Sequence, residues 1–267
     1  MKLALSTLAI GTPLAAAELK RLAGLGIAGL ELAPLTQWSS WDAATLAEAI
    51  RFRETAAYYG LCIPAVQGIA FQALSIGWVE SGAGAAMATH FERVAGLAEA
   101  MGTRVAVLGA PTLRKLQGLD PESAKTLAVG ALAQAIRPFA VRGLTLGIEP
   151  VPTSHGGELG CNANDCAELV RRVDSPALRL HLDCSALMES GEDLESGWFK
   201  WGELVCHVHL SEPGLGALRG GVVAHTSNIA LLRSLGYNGW VSVEMLRPRV
   251  PLEEAVDWPE LCAAVLT

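Results

Sequence analysis

The sequence predicts an α/β protein that folds as a single (β/α)₈ TIM barrel over residues 1–267. The first observation is the length, since barrels of this kind commonly reach about 250 residues as one domain. The second is that eight short β-rich runs alternate with helical patterns, without any stretch that resembles a linker. The third is a glycine after many of the helical patterns, as at Gly60, Gly102 and Gly143, where a left-handed residue often ends a helix.

The predicted strands and helices alternate along the whole chain. The strands are 3–10, 29–32, 63–66, 104–108, 144–149, 178–183, 205–210 and 240–245. The helical patterns are 13–23, 41–59, 87–101, 121–141, 161–173, 194–201, 225–235 and 251–265. Such strand–helix units pair in parallel through right-handed crossovers. A doubly wound open sheet would favour a Gly-x-Gly-x-x-Gly turn after the first strand, which this chain does not have, so the count of eight favours a closed barrel.

The composition is that of a packed globular protein. With 51% hydrophobic and 18% charged residues, the chain has enough apolar surface for a core, which argues against disorder. No run of about 18 uncharged apolar residues is present, so no membrane partner is expected. The apolar start raises the question of a signal peptide. Because Gly11-Thr12-Pro13 follows at once and no small-residue cleavage site is evident, we predict a first strand there and a cytoplasmic protein.

Charge and cysteine content exclude two further classes of protein. The net charge is −7 and no basic block stands out, so nucleic acid is not an expected partner. The six cysteines contain no Cys-x-x-Cys pair, which indicates reduced, buried thiols rather than a disulfide framework or a zinc knuckle. Cys184, beside Asp183, is the one candidate for a reactive thiol.

Polar residues interrupt the apolar pattern of the last four predicted strands. In the sixth strand three leucines alternate with Arg179, His181 and Asp183, and period-2 alternation places the polar set on the inner face of a barrel. Asp183 then lies at the C-terminal rim. In the seventh strand the same argument directs His207 and His209 inward.

The fifth and eighth strands end in Glu149 and Glu244, so four neighbouring strands carry a metal-capable side chain toward one mouth. A single acidic residue at a strand end is usually a helix cap or an ion-pair partner, and the weight lies in the joint pattern. Three crowded carboxylates repel one another and resist burial, a conflict that a divalent cation removes. The sequence therefore predicts one divalent metal ion held by Glu149, Asp183, His209 and Glu244, with Mn²⁺, Mg²⁺, Co²⁺ and Zn²⁺ all suited to this donor set.

Four motifs carry a resemblance to a known family: Gly147-Ile148-Glu149-Pro150, Leu180-His181-Leu182-Asp183, the run from His207 to Pro213, and the run from Gly236 to Met245. On these motifs the chain resembles the xylose isomerase-like barrel superfamily, in particular its branch of sugar isomerases and ketose 3-epimerases. The candidate ligands are separated by 34, 26 and 35 residues, close to the intervals in ketose 3-epimerases.

The resemblance implies an isomerase or epimerase that acts on a small-molecule sugar or sugar phosphate. One ion, with Mn²⁺ as the first expectation, would chelate neighbouring sugar oxygens. Glu149 and Glu244 would be catalytic: one removes a proton to give a metal-stabilised enediolate and the other returns a proton to the opposite face. His181 and His207, two residues deeper, are expected to support the ligands rather than bind the ion. A homodimer is left open.

Two departures from the family pattern concern the substrate. Ala186 stands where epimerases usually carry a histidine, and Leu215 stands where an arginine is usual. Gln67, Arg114 and Glu212 are the candidate substrate contacts. Arg114 either meets a phosphate or carboxylate of the substrate or is a solvated loop charge.

Three alternative functions fit part of this pattern. An abasic-site endonuclease of the same superfamily needs three metal ions, and Gln67, Gly109 and Ala186 stand where its extra histidines would be. A dehydratase of the inosose type, acting on a cyclic polyol, would use similar ions and bases. A non-catalytic, metal-dependent sugar-binding protein would explain Ala186 and Leu215 but has no need of two opposed bases. Glu31, at the end of the second strand, is open between a structural and a functional role.

Overall fold

Eight parallel strands form a barrel in a computed structural model that describes residues 1–266. The strands are β1 Lys2–Ser6, β2 Gly29–Glu31, β3 Ala65–Val66, β4 Val105–Leu108, β5 Thr145–Ile148, β6 Leu178–Asp183, β7 Val205–Ser211 and β8 Trp240–Glu244. They lie in the order β2-β1-β8-β7-β6-β5-β4-β3. Short bridges from Gly29 to Cys62 and from Leu32 to Val66 join β2 to β3 and close the ring. The predicted barrel is confirmed.

Helices cover the outside of the barrel. They are α1 Ala16–Ala23, α2 Pro34–Gln37, α3 Leu46–Tyr58, α4 Ala83–Met101, α5 Pro121–Ala135, α6 Arg137–Ala140, α7 Ala163–Val173, α8 Cys184–Glu189, α9 Leu194–Trp201, α10 His225–Ser234, α11 Leu252–Ala255 and α12 Trp258–Leu266. Side chains cap several of their starts: Asp120 accepts hydrogen bonds from the amides of Glu122 and Ser123 at the start of α5. No helix within residues 1–266 combines the length and the apolar character that crossing a membrane requires.

Most predicted elements differ from the observed ones by a few residues at their ends, and three differences have a clear local cause. The first strand stops at Ser6, because the Ser6 side chain accepts from the Leu8 amide and starts a 3₁₀ turn instead. The predicted helix 121–141 is divided at Ile136, and the predicted helix 251–265 is divided at Val256, which is extended. Pro138 and Pro259 explain both breaks, since proline has no amide hydrogen for a continuing helix.

The alternation in β6 sorts its side chains as predicted for most of the strand. Leu178, Leu180 and Leu182 are buried against the helices, whereas His181 and Asp183 face the barrel interior. Arg179 lies at the opposite, N-terminal end, where its guanidinium donates to the carbonyl of Glu203.

A β-bulge interrupts the pairing of β6 with β7. Leu180 pairs with Val205, but the next residue, His181, pairs with His207, so Cys206 is an extra residue in β7. Beyond the bulge the register is regular, and Asp183 lies opposite His209. The bulge thereby brings the histidines of β7 level with the polar residues of β6.

Candidate metal centre

The four candidate ligands converge at the C-terminal mouth of the barrel. Asp183 and Glu244 are the last residues of β6 and β8, His209 lies in β7, and Glu149 follows β5, with its amide still donating to the Leu108 carbonyl. One ligand atom of each lies within 4.8 Å of the others. They meet because β5, β6, β7 and β8 are consecutive neighbours in the barrel.

The Nδ1 atom of His209 is surrounded by carboxylate oxygens. It lies 3.1 Å from Glu244 Oε2, 3.4 Å from Glu149 Oε1 and 3.9 Å from Asp183 Oδ2. The His209 ring is fully buried, and Nδ1 makes no hydrogen bond in this arrangement. A buried nitrogen without a partner, facing three carboxylates, is the environment that a divalent cation would satisfy.

The other ring nitrogen of His209 is hydrogen-bonded to Glu31. His209 Nε2 lies 3.0 Å from Glu31 Oε1, an oxygen that can only accept from it. One hydrogen therefore sits on Nε2. Burial would lower the pKa of His209, but the carboxylates of Glu244 and Glu31 outweigh it and hold that pKa well above the ordinary value. A bound cation would replace the proton on Nδ1 and take its lone pair. The donor set of three carboxylates and one imidazole nitrogen fits a divalent ion of the Mn²⁺, Mg²⁺, Co²⁺ or Zn²⁺ group.

The electrostatics of the carboxylates also favour a bound cation. Burial, together with the neighbouring carboxylates of Glu149 and Glu244, raises the pKa of Asp183 from an ordinary 3.8 to about 7. Burial likewise raises the pKa of Glu244. Without a cation Asp183 is partly protonated near neutral pH, and a bound divalent ion would favour the charged carboxylates that can act as ligands.

Asp183 does two things at once. Its Oδ1 accepts a hydrogen bond of 2.7 Å from the Ala186 amide and so caps α8, while its Oδ2 accepts from Ser211 Oγ at 2.5 Å. Asp183 therefore caps a helix, as acidic residues at strand ends usually do, and is also a candidate metal ligand. The two bonds hold the carboxylate in one orientation.

His207 and His181 lie beneath the four candidate ligands. His207 Nε2 lies 2.9 Å from Glu31 Oε2 and 3.0 Å from Ser242 Oγ, away from the four. His181 Nε2 lies 3.5 Å from Glu149 Oε1, and neither nitrogen of His181 makes a hydrogen bond. Burial and the neighbouring imidazoles hold the pKa of His181 well below its ordinary value, so this ring is neutral.

Glu31 is the residue for which the sequence does not distinguish a structural from a functional role. It is completely buried, and both its oxygens accept from imidazoles of β7. Burial alone would raise the pKa of Glu31, but the imidazoles of His209 and His207 outweigh it and hold that pKa well below the ordinary value. Its position as a polar residue ending a strand was the available signal.

In the structure the side chains of the three candidate substrate contacts are hydrogen-bonded to other groups of the protein. Gln67 is buried and donates to Ser6 Oγ. Glu212 borders the cavity, but its carboxylate accepts from the amides of Val222 and Val223 and from His225 Nε2, at 2.8, 3.1 and 2.8 Å. It therefore holds the chain segment that follows β7.

Arg114 has no exposed surface, so its interpretation as a solvated loop charge is wrong. The guanidinium donates to the carbonyls of Leu108 at 2.7 Å and Gly160 at 3.1 Å, and it lies 4.4 Å from the centre of the Trp78 ring. A substrate contact would require Arg114 to leave all three. It ties the β4–α5 loop to the chain after β5.

Cys184 is buried, and burial raises the pKa of its thiol to about 12. The thiol is therefore protonated at neutral pH, which contradicts its candidacy as a nucleophile. All six cysteines are free, as expected, but only Cys166 and Cys184 are buried, and Cys62 is exposed.

A cleft of about 220 Å³ opens above the four candidate ligands. Its walls are mostly apolar and include Pro111, Val151, Ala186 and Leu215, the last two at the positions where the family pattern differs. Among residues 1–266, no lysine or arginine lines it. Of the polar lining, His155 lies on the loop after β5 and has no periodic signal in the sequence that could have identified it.

Residues 19–262 match the family described as xylose isomerase-like TIM barrel. This chain belongs to that family. No curated protein matches the chain in sequence.

Solved structures of other proteins share the xylose isomerase-like fold. The 3-keto-D-glucoside 4-epimerase of E. coli superposes with a TM-score of 0.78 at 14% identity, covering 98% of this chain and 99% of its own. An AP endonuclease, family 2, from Brucella melitensis gives 0.77 at 20% identity, with 97% and 98% covered. The D-allulose 3-epimerase of Methylomonas sp., solved with D-allulose, gives 0.73 at 17% identity, with 92% and 84% covered. At these identities the likeness shows the fold alone.

Proposed function

We propose that this xylose isomerase-like protein is a divalent-metal-dependent epimerase or isomerase of a keto sugar. The observation that carries the proposal is the placement of two carboxylates, Glu149 and Glu244, 3.4 and 3.1 Å from the same unpartnered nitrogen of His209. Two bases at one candidate metal position are what proton removal and proton return at a single carbon require. A binding protein needs only the ligands.

The residues act in the following way. Glu149 and Glu244 approach a bound sugar from two sides, and one carboxylate takes a proton from the carbon next to the carbonyl, so that the C–H electron pair passes into an enediolate. The other carboxylate returns a proton to the opposite face of the resulting enediolate, which inverts that carbon. A bound divalent ion, with Mn²⁺ as the first choice, would supply positive charge that lowers the barrier to removing this proton. Asp183 and His209 would be the remaining ligands of the ion, and the apolar walls of the cleft limit the access of water.

The names of the similar solved structures favour this chemistry over the alternatives. Two of the three structures described above are named as epimerases of a keto glucoside and of D-allulose. The likeness to the Brucella protein does not favour a nuclease, because Gln67, Gly109 and Ala186 offer no histidine for additional ions. A cleft without a lysine or arginine among residues 1–266 favours an unphosphorylated substrate, since phosphate groups in proteins are usually met by such side chains.

Hydrogen exchange in D₂O tests the proposal. The protein is loaded in turn with Mn²⁺, Mg²⁺, Co²⁺ and Zn²⁺ and incubated with D-allulose, D-tagatose, L-ribulose, a 3-keto-glucoside and an inosose. NMR then follows the loss of carbon-bound hydrogen. We expect exchange and epimer formation with at least one keto sugar, abolished by a chelator and restored by the ion.

The same experiment separates the rival functions. A dehydratase would release water from the inosose without forming a pair of epimers. If a sugar binds in the presence of metal but exchanges no hydrogen under any of the four ions, the protein is a binding protein and the proposal is wrong.

A further inference from the structure

Glu31 joins two histidines of β7 from the far side of the barrel interior. In the ring of strands β2 is separated from β7 by β1 and β8, so the contact crosses the barrel rather than following it. Oε2 lies 2.9 Å from His207 Nε2 and Oε1 lies 3.0 Å from His209 Nε2. Glu31 has no exposed surface, and each of its oxygens is bound to one ring.

We propose that Glu31 is a positioning residue for the metal centre: its carboxylate holds the imidazole of His209 in the tautomer that presents Nδ1 to the ion. This inference rests on the metal site of the proposed function. A neutral imidazole carries its hydrogen on either nitrogen, and the partner of one nitrogen decides which. Because Glu31 can only accept, it keeps the hydrogen on Nε2.

The second histidine strengthens this role. His207 binds the other oxygen of Glu31 and also lies 3.0 Å from Ser242 Oγ on β8. The carboxylate is thereby held from two sides and cannot rotate away from His209 without leaving a buried group unpaired. Strand β2 thus contributes to a centre whose four ligands come from β5 to β8 or directly follow them.

A different interpretation would make Glu31 a ligand of a second ion, together with His207 and His209, since their atoms also lie close together. The hydrogen bonding argues against it. Nε2 of His207 and Nε2 of His209 both have hydrogen-bond partners in Glu31, whereas Nδ1 of His209, which faces the other cluster, has none.

The test compares two variants with the wild-type protein. Glu31→Gln keeps the size of the side chain but presents only one acceptor oxygen to two imidazoles. Ser242→Ala is the matched control, because it removes a partner of His207 and leaves the bond to His209 intact. For each protein, calorimetry measures the Kd for Mn²⁺, and long-range ¹H–¹⁵N NMR of the Mg²⁺-saturated protein reports the tautomer of His209.

We expect Mn²⁺ to bind Glu31→Gln about 10–100-fold more weakly, the usual effect of losing a partner that orients a ligand. His209 should keep its hydrogen on Nε2 in the wild-type protein and in Ser242→Ala, but not uniformly in Glu31→Gln. Thermal unfolding of the metal-free proteins verifies that each one is folded. If Glu31→Gln does not fold, Glu31→Asp replaces it, because a carboxylate one methylene shorter cannot reach both rings and should also weaken binding.

Two results would overturn the inference. One is a folded Glu31 variant that binds Mn²⁺ as tightly as the wild-type protein. The other is equal weakening in Ser242→Ala, which would show that any disturbance of the buried network has the same effect. A wild-type protein that binds no divalent ion would instead refute the metal site of the proposed function itself, and this inference with it.

Discussion

The position of Glu149 depends on the absence of a side chain at Gly109. A β-carbon at Gly109 would overlap the Glu149 carboxylate at Oε2. The backbone at 109 is not in the left-handed region, so alanine is tolerated there by the main chain. Gly109→Ala is therefore a probe that moves one carboxylate without straining the backbone.

The size of the effect follows from the overlap. To reach ordinary van der Waals contact, the carboxylate must move by on the order of 1 Å. A displacement of about 1 Å from reacting geometry can cost roughly 10²-fold in rate, so we expect kcat/KM for keto-sugar exchange to fall by about that factor. Stability should be unchanged or higher by about 0.4–1 kcal/mol, since alanine restricts the unfolded chain more than glycine does.

The assay measures deuterium washout at saturating Mn²⁺ together with urea unfolding. Gly130→Ala is the matched control: Gly130 lies on the exposed side of α5, and a β-carbon there would meet nothing within 4 Å. That variant should keep full activity. If Gly109→Ala exchanged as fast as Gly130→Ala, the idea that Glu149 acts from its observed position would have to be given up.

Three further predictions concern the same centre and its supports. Glu149→Gln and Glu244→Gln should each lower turnover by about 10²–10⁴-fold while weakening Mn²⁺ binding far less, with washout lost preferentially from a different epimer in each; equal Mn²⁺ and turnover losses would contradict the assignment of bases. Because the folded-state pKa of Asp183 is raised from 3.8 to about 7, its protonated form stabilises the metal-free protein, and this stability should be lost as pH rises from about 4 to about 7. Unfolding with a chelator between about pH 4 and about pH 8 measures that loss, and Asp183→Asn should show a flatter profile; identical slopes would refute it. Arg114→Met should lower the free energy of unfolding by about 1.5–3 kcal/mol or more, since it leaves two buried carbonyls without their charged donor, and a stability equal to that of the wild-type protein would show that these bonds contribute nothing.

The barrel and the convergence of Glu149, Asp183, His209 and Glu244 follow from regularities that a sequence displays. Period-2 alternation determines which side chains point inward, and parallel strands bring their C-terminal ends to one rim. Both rules are local or topological, so they apply without knowledge of side-chain packing.

The roles of Arg114 and Glu212 could not be predicted in the same way. Both lie outside the strands, where no periodicity determines the direction of a side chain. Arg114 is held by the carbonyls of Leu108 and Gly160, the second of which lies 46 residues away in sequence. A charged residue near a barrel mouth is equally compatible with ligand contact and with pairing to distant backbone groups, and only the packed structure distinguishes the two.

The helix breaks and the role of Glu31 are only partly predictable from the sequence. Pro138 and Pro259 give a local reason for the divided helices, and this signal is visible in the sequence. The partnership of Glu31 with His207 and His209 depends on three side chains meeting inside the barrel across 176 and 178 residues of sequence. Alternation indicates that such residues face inward but not which of them touch.

The bulge at Cys206 makes the count of residues in β7 as important as their identity. A strand that loses or gains one residue exchanges its inner and outer faces beyond that point. Deleting Cys206 would make His207 follow Val205 directly. Adjacent residues of a regular strand point to opposite faces, so the side chains on one side of the deletion would have to change face. Either His207 and His209 would leave the barrel interior, or the residues before the deletion would change face instead. Insertions and deletions in this strand are therefore constrained by parity. Alignments of related sequences should be anchored on the His-x-His pair, with any length difference placed at or before residue 206.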